Sequence, residues 1–471
     1  MPLKPSHNLL VRGSNPCGGT NILQLLELSR WRISAPGLTG ERSWSRIEIF
    51  RYYLNSISLA AAAMNPNGST ITIPAGDPMT AFTEGEIYFL NSSMGGRANM
   101  TQTSRERAMI SDKIIRIGII GAGFARSTQI PGFKACAGAR IVAIASARRE
   151  RAEEVAREFG IQHVESDWRA LVARDDIDLV SIVTPVVTHS EMTMAALDHG
   201  KAVLCEKPMA MNADEARSMS ERARQAGVLA LIDHELRFLP GRGKLHELLR
   251  RGDIGKVRHA QLTFRSDSRA DPNRPWNWWS DITKGGGTLG AIGSHVIDAF
   301  RWLLNAEVSE VFGNLATRVN ERKDEAGKLR EVTTDDEANL LLRFTDGELT
   351  QGATGNVSMS MVEAGASAHL LDVFGSHGAL KVDGNGYVWS AKVGDGDWSS
   401  VETDRGELAA GMVEGSWSRG FTAFARKIVE AVAEGRATVE GAATFEDGYR
   451  TQLVLDAARR ANESGCWVKI D

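Results

Sequence analysis

The chain has 471 residues, 42 % hydrophobic and 24 % charged, a balance that excludes wholesale disorder and leaves ample sequence for sizeable cores. That length exceeds one ordinary domain, so two or three are expected. With 55 basic and 59 acidic residues the net charge is −4, which gives no electrostatic reason to expect nucleic acid or an anionic membrane as a partner.

Residues 1–112 differ in character from the rest. Up to position 108 they hold only 10 basic and 7 acidic side chains, are rich in Pro, Gly, Ser and Asn, and show no strand–helix alternation. Three explanations stand: a disordered arm, an arm that clasps another subunit, or translated sequence upstream of a true start near Met109. The longest weakly polar stretch, Ile57 to Met64, is far short of the roughly 20 residues a membrane helix needs, and nothing resembles a secretory signal. Cys17, Cys136, Cys205 and Cys466 lack paired spacing, which predicts neither a disulfide framework nor a metal site and suits a reducing cytoplasm.

From Lys113 an ordered pattern begins. Ile114 to Ile120 is a short apolar run ending in glycines, as expected of a parallel strand buried on both faces. A helical stretch follows, then the apolar run Arg140 to Ala145 and the amphipathic stretch Arg149 to Phe159. Leu179 to Val183, Ala202 to Cys205 and Val228 to Ile232 are further strands, with a helix predicted over Ala213 to Ala226. This β-α-β-α repetition predicts an α/β fold with a doubly wound parallel sheet over residues 113–236.

After about Phe238 the rhythm changes. Val257 to Phe264, Ala338 to Phe344, Gly347 to Ala353 and His369 to Phe374 read as strands joined by turns such as Thr345-Asp346-Gly347. Helices are predicted around Ile292 to Leu304 and Phe421 to Glu434. Residues 237–471 therefore read as an α+β domain on a largely antiparallel sheet.

The first strand runs into Gly121-Ala122-Gly123-Phe124-Ala125-Arg126, two glycines of a G-x-G-x-x-G turn with Arg126 in the third place. Between a buried strand and a helix, this pattern predicts a dinucleotide pyrophosphate held at the helix N-terminus. At the end of the second strand, where an acidic residue would select NAD(H), the chain has Ser146-Ala147-Arg148-Arg149. A hydroxyl and two guanidinium groups suit a 2′-phosphate, so NADP(H) is preferred and NAD(H) remains possible; alternatively the arginines are a solvated helix start.

Strand C-termini line the ligand crevice in such sheets, which aims Lys207 of Cys205-Glu206-Lys207-Pro208 at the nicotinamide. An amine buried beside that positive ring loses its ammonium form more readily, the property a general base needs. Glu206 points to the opposite side of the backbone, as a support or cofactor-domain contact. The segment Gly285 to Asp298 places His295 and Asp298 at a helix opening, where His295 is either a packed histidine or a catalyst. Trp276-Asn277-Trp278-Trp279 offers aromatic faces and polar groups for a sugar ring, or else an interface loop. His234, Arg237 and Arg265 are candidate donors to substrate oxygens.

Together, the G-A-G-F-A turn, Thr184-Pro185 with His189, Glu206-Lys207-Pro208, His234 with Arg237-Phe238 and Pro240, and the segment ending at His295 and Asp298 resemble the glucose–fructose oxidoreductase/inositol dehydrogenase (Gfo/Idh/MocA) family. The resemblance runs from about Lys113 to the C-terminus. It implies an N-terminal Rossmann domain followed by an α/β domain with an open, mostly antiparallel sheet through which homodimers or homotetramers form. It implies hydride transfer between nicotinamide and a sugar, cyclitol or related polyol or ketone. Lys207 and His295 match the family's catalytic lysine and histidine. Gly121, Gly123, Phe124, Ala125, Ser146, Arg148, Arg149, Thr184, Pro185, His189, Glu206 and Lys207 are the expected cofactor contacts. Lys207, His234, Arg237, Trp276, Trp278 and His295 are the expected substrate contacts. Many members carry an aspartate four residues before the histidine; this chain has Ala291 there. Two alternatives stand beside this reading: a relative with tightly held nicotinamide doing redox-neutral chemistry such as glycoside cleavage, or a non-catalytic cofactor-binding regulator, which Ala291 keeps open.

Overall fold

The computed structural model describes residues 113–365 and 367–470, and the expectations for residues 1–112 lie outside them. Among the described residues, no helix is long and apolar enough to cross a membrane.

Six parallel strands form the first sheet: β1 (Ile115–Ile120), β2 (Ala139–Ala145), β3 (His163–Val164), β4 (Leu179–Ile182), β5 (Ala202–Cys205) and β6 (Ala230–Ile232). Their order, β3-β2-β1-β4-β5-β6, reverses direction between β1 and β4, which is where an open α/β sheet makes its ligand crevice. In β1 every residue but Arg116 is buried, because helices cover both faces. Helices α1 (Ile130–Lys134), α2 (Arg149–Phe159), α3 (Trp168–Val172), α4 (His189–Asp198) and α5 (Ala213–Ala226) make those layers. Their ends are written locally. Asn212 caps α5 by accepting from the Glu215 amide at 2.9 Å, and Gly227 closes it at φ +65°.

The chain then crosses through α6 (Pro240–Arg251) into a nine-stranded sheet whose order is β16 (Ser399–Val401), β15 (Val388–Lys392), β14 (Gly378–Asp383), β13, β7, β12, β11, β8 and β17 (Val468–Lys469). Its long strands are β7 (Val257–Arg265), β8 (Val308–Ala316), β11 (Glu337–Phe344), β12 (Thr350–Ser360) and β13 (Ala368–Gly375). Every pair is antiparallel except β7 with β12. Alternation along β11 buries Ala338, Leu340, Leu342 and Phe344 and turns Leu341 outwards, so one face packs on helices and the other is open. The separate hairpin β9 (Glu321–Lys323) and β10 (Leu329–Glu331) stands off this sheet.

Helix α7 (Ser294–Leu304) packs beneath the large sheet with α9 (Phe445–Ser464). The last helices also return to the first domain. Phe421, Phe424 and Ile428 of α8 (Ser416–Ala433) share one core with Ile115 and Ile117, while Phe445 packs with Ile232 and Met209. Burying Phe421 and Phe424 alone stabilises the join by roughly 3–6 kcal/mol. The crevice therefore has a fixed floor and wall.

Candidate active site

At the switch point the backbone leaves β1 through Gly121, at φ +112°. A methyl group there would sit 2.1 Å from the Val183 carbonyl oxygen, so only glycine lets β1 and β4 stay paired while the chain turns. Gly123 differs. A methyl group on it would meet nothing within 4 Å, because it faces open cleft. This is the cradle a pyrophosphate requires: one glycine for the turn and one for close approach. Beyond it the helix starts as a wide turn of π type over Ala125–Gln129 before α1, and Pro131 has no N–H to donate into it. Arg126 turns away from the cleft to Glu158 at 2.7 Å, so it does not face phosphate.

The cleft holds about 1180 Å³ and extends from the end of β2 to the end of β5. Gly121, Gly123, Phe124, Ser146, Arg148, Arg149, Thr184, Pro185, Glu206, Lys207, Trp276 and Trp278 all line it, together with Ala291. At its ribose end Arg148 Nη2 reaches Glu325 Oε1 at 3.0 Å, and Arg149 Nε reaches Glu153 at 2.9 Å. Glu325 lies in the β9–β10 turn, so the second domain closes over that end. Trp278 and Trp279 meet at 5.9 Å, and Trp276 is held against the same hairpin by its indole N–H donating to the Glu331 carbonyl.

Five expected site residues lie behind this surface. Ala125 is fully buried in the first core. His189 is fully buried as well, its ring nitrogens 2.9 and 3.1 Å from the Thr184 and Pro208 carbonyls, so it braces the loops after β4 and β5 and lines no cleft. Arg237 is chelated by Asp298 at 2.6 and 2.8 Å, which makes it a structural ion pair with no donor directed at the cleft. His234 and His295 face one another, Nδ1 to Nδ1 at 3.3 Å. Only one of those nitrogens can carry the shared proton. Asp298 lies 3.9 Å from His234 Nε2, and His295 Nε2 has no partner among the described residues. Burial lowers the His234 imidazole to about 4 and that of His295 well below its usual range, so both rings are neutral at pH 7.

Lys207 Nζ lies 3.5 Å from the Ala291 carbonyl oxygen. Ala291 belongs to a π-type turn, Leu289–Gly293, that runs directly into α7. The main chain, instead of a carboxylate, faces the amine. The glycine run before it is a steric requirement, since a methyl group at Gly286 would lie 2.0 Å from the Trp279 carbonyl.

Glu206 is anchored by a buried polar network whose members lie far apart along the chain. Gln129 Nε2 donates to Glu206 at 2.9 Å and to Asp233 at 2.8 Å, while Ser181 bonds the Gln129 oxygen. Burial and the neighbouring carboxylates push Asp233 well above its ordinary range, so it retains its proton. Glu206 thus fixes the strand end that carries Lys207, and its amide contact, 3.3 Å from Lys207 N to Glu206 Oε2, does the same locally.

Comparison with known proteins extends these observations. The family model described as "Oxidoreductase family, NAD-binding Rossmann fold" matches residues 115–234, and the "GFO/IDH/MocA C-terminal domain" matches 243–381. An uncharacterized oxidoreductase of Synechocystis sp. is 32 % identical over 56 % of this chain and 71 % of its own length. Levoglucosan dehydrogenase of Pseudarthrobacter phenanthrenivorans is 30 % identical over 76 % of this chain and 98 % of its own. A solved structure of levoglucosan dehydrogenase in complex with NADH and levoglucosan superposes with a TM-score of 0.68 at 27 % identity, over 76 % of this chain and 100 % of that one.

Proposed function

The chain belongs to the GFO/IDH/MocA family of NAD(P)-dependent oxidoreductases, and from that premise we propose that it oxidises a carbohydrate-like hydroxyl, or reduces the corresponding ketone, with Lys207 as the acid–base group. The observation that carries this reading is the amine of Lys207 in the wall of a cleft whose other end is a glycine cradle for a dinucleotide. Bound nicotinamide supplies the acceptor or donor of a hydride. Lys207 takes the proton of the reacting hydroxyl in oxidation and returns it in reduction. The Ala291 carbonyl directs the amine. Trp276 and Trp278 provide faces for the sugar ring.

The preferred coenzyme in this reading is NADP(H). Arg148 and Arg149 are already paired with carboxylates, but those ion pairs are exposed and worth only about 0–1 kcal/mol each, so a phosphate dianion displaces them. The open face of the nine-stranded sheet supports association of copies of this chain, and the substrate is a small molecule of the sugar, cyclitol or polyol class. The Arg148–Glu325 contact favours a second reading, in which the β9–β10 turn retains the nucleotide for redox-neutral chemistry. Steady-state reduction of free NADP⁺ or NAD⁺ with a panel of inositols, sugars and levoglucosan tests the first. Coenzyme that co-purifies and never exchanges would transfer support to the second.

A further inference from the structure

The polar groups that this chemistry leaves unused gather behind Lys207. Arg242, in the first turn of α6, is 3 % exposed. Its Nη2 donates to His369 Nε2 at 2.9 Å, which fixes the imidazole hydrogen on Nδ1, while Nε and Nη1 have no partner among the described residues. A guanidinium keeps its charge in a protein, and a buried one without a counter-ion is strongly unfavourable. The two carboxylates whose charge reaches it are otherwise committed. Asp298 is held by Arg237 through two hydrogen bonds, and burial pushes the Glu235 carboxyl up to about 8, leaving it mostly protonated at neutral pH.

Arg242 is linked through His369 to the rings packed around His295. The His369 ring stacks on Trp417, centroids 5.8 Å apart, and Trp417 packs against His295 at 4.7 Å. Burial, then the charge of Lys207 and, more weakly, those of His234 and Arg242 depress His295, so both cations lie within electrostatic reach of that ring. Arg242 Nε, Arg242 Nη1, His295 Nε2 and Glu235 Oε2 are all buried without a partner among the described residues.

We propose that Arg242 binds an anionic substituent of the substrate, so that the hydroxyl served by Lys207 belongs to a sugar acid and not to a neutral sugar. This assignment rests on the oxidoreductase reading for its place in a reaction. The carboxylate supplies the missing counter-ion, and His369 acts as a positioning residue that holds the guanidinium.

The test uses the full chain saturated with NADH, titrated by calorimetry with D-glucuronate, D-galacturonate and D-gluconate and with their neutral counterparts D-glucose, D-galactose and sorbitol. At least one acid is expected to bind about 10-fold or more tightly than its counterpart, the low end for a charge-assisted buried pair. Arg242→Met should erase that margin without changing NADH affinity, and Arg242→Lys should keep part of it. No acid ahead of its counterpart, or a margin that survives Arg242→Met, overturns the assignment. If the Met variant does not fold, the wild-type comparison alone decides. Nicotinamide reduction on the same panel is a separate readout: acids bound through Arg242 without any hydride transfer would defeat the oxidoreductase reading and leave Arg242 in place.

Discussion

Replacing Gly121 by alanine puts fold and coenzyme binding under one test. The new methyl would stand 2.1 Å from the Val183 carbonyl oxygen and 2.7 Å from its carbon, both main-chain atoms that cannot rotate away. Relief requires the end of β4 to move from β1, breaking the pairing of Ile120 with Ile182. Alanine at φ +112° adds backbone strain of roughly 1–2 kcal/mol, and overpacking of this kind costs about 1–3 kcal/mol more. Gly121→Ala should therefore lose about 2–5 kcal/mol in urea unfolding. Gly123→Ala is the control, since its methyl meets no protein atom within 4 Å. It should unfold at the wild-type midpoint yet bind NADH at least about 10-fold more weakly, because the methyl occupies the cradle. Energy transfer from Trp276, Trp278 and Trp279 to bound NADH reads the affinity. Wild-type stability in Gly121→Ala, or undiminished NADH binding in Gly123→Ala, would refute the assignment of the two glycines.

Arg148→Ala combined with Arg149→Ala should weaken NADPH far more than NADH, and Glu325→Gln should strengthen NADPH by up to about 5-fold by freeing Arg148; equal changes for both coenzymes remove the stated preference. Arg237→Met strands the Asp298 carboxylate in the core and should cost about 3–5 kcal/mol of stability, a loss read by denaturant midpoint that a substrate-contact role for Arg237 would not produce. His234 titrates at about 4 in the folded chain against 6.5 unfolded, so the unfolded state binds more protons between those values. Its stabilisation is complete above pH 6.5 and is lost as pH falls towards 4. Asp335, raised by burial to about 6, works in the opposite sense between 3.8 and 6. The difference between wild type and His234→Asn isolates the histidine, and a difference that stays flat from pH 7 to 4 would contradict its burial as a neutral ring.

What was legible in the sequence was local. Apolar runs of four to seven residues, separated by amphipathic stretches, are enough to mark β1, β2, β4, β5 and β6, because burial on both faces leaves no room for polar letters. The two-residue strand β3 escaped notice since a pair such as His163-Val164 carries no period. The cleft residues on β-strand ends followed from the same logic. The buried polar network did not: Gln129, Asp233, Glu235, Arg242 and His369 come from separate elements, and only folding brings them behind Lys207. His189 looked like a cofactor ligand because it follows Thr184-Pro185, but a ring with both nitrogens against carbonyls is a brace.

The account depends most on Lys207. Rapid mixing of the coenzyme-bound protein with a turned-over substrate, followed at the nicotinamide absorbance, measures the hydride step directly in wild type and in Lys207→Ala. A fall of roughly 10²–10⁴-fold in that step, with coenzyme affinity held within a few-fold, is the predicted result; a hydride step of unchanged rate in Lys207→Ala would contradict it.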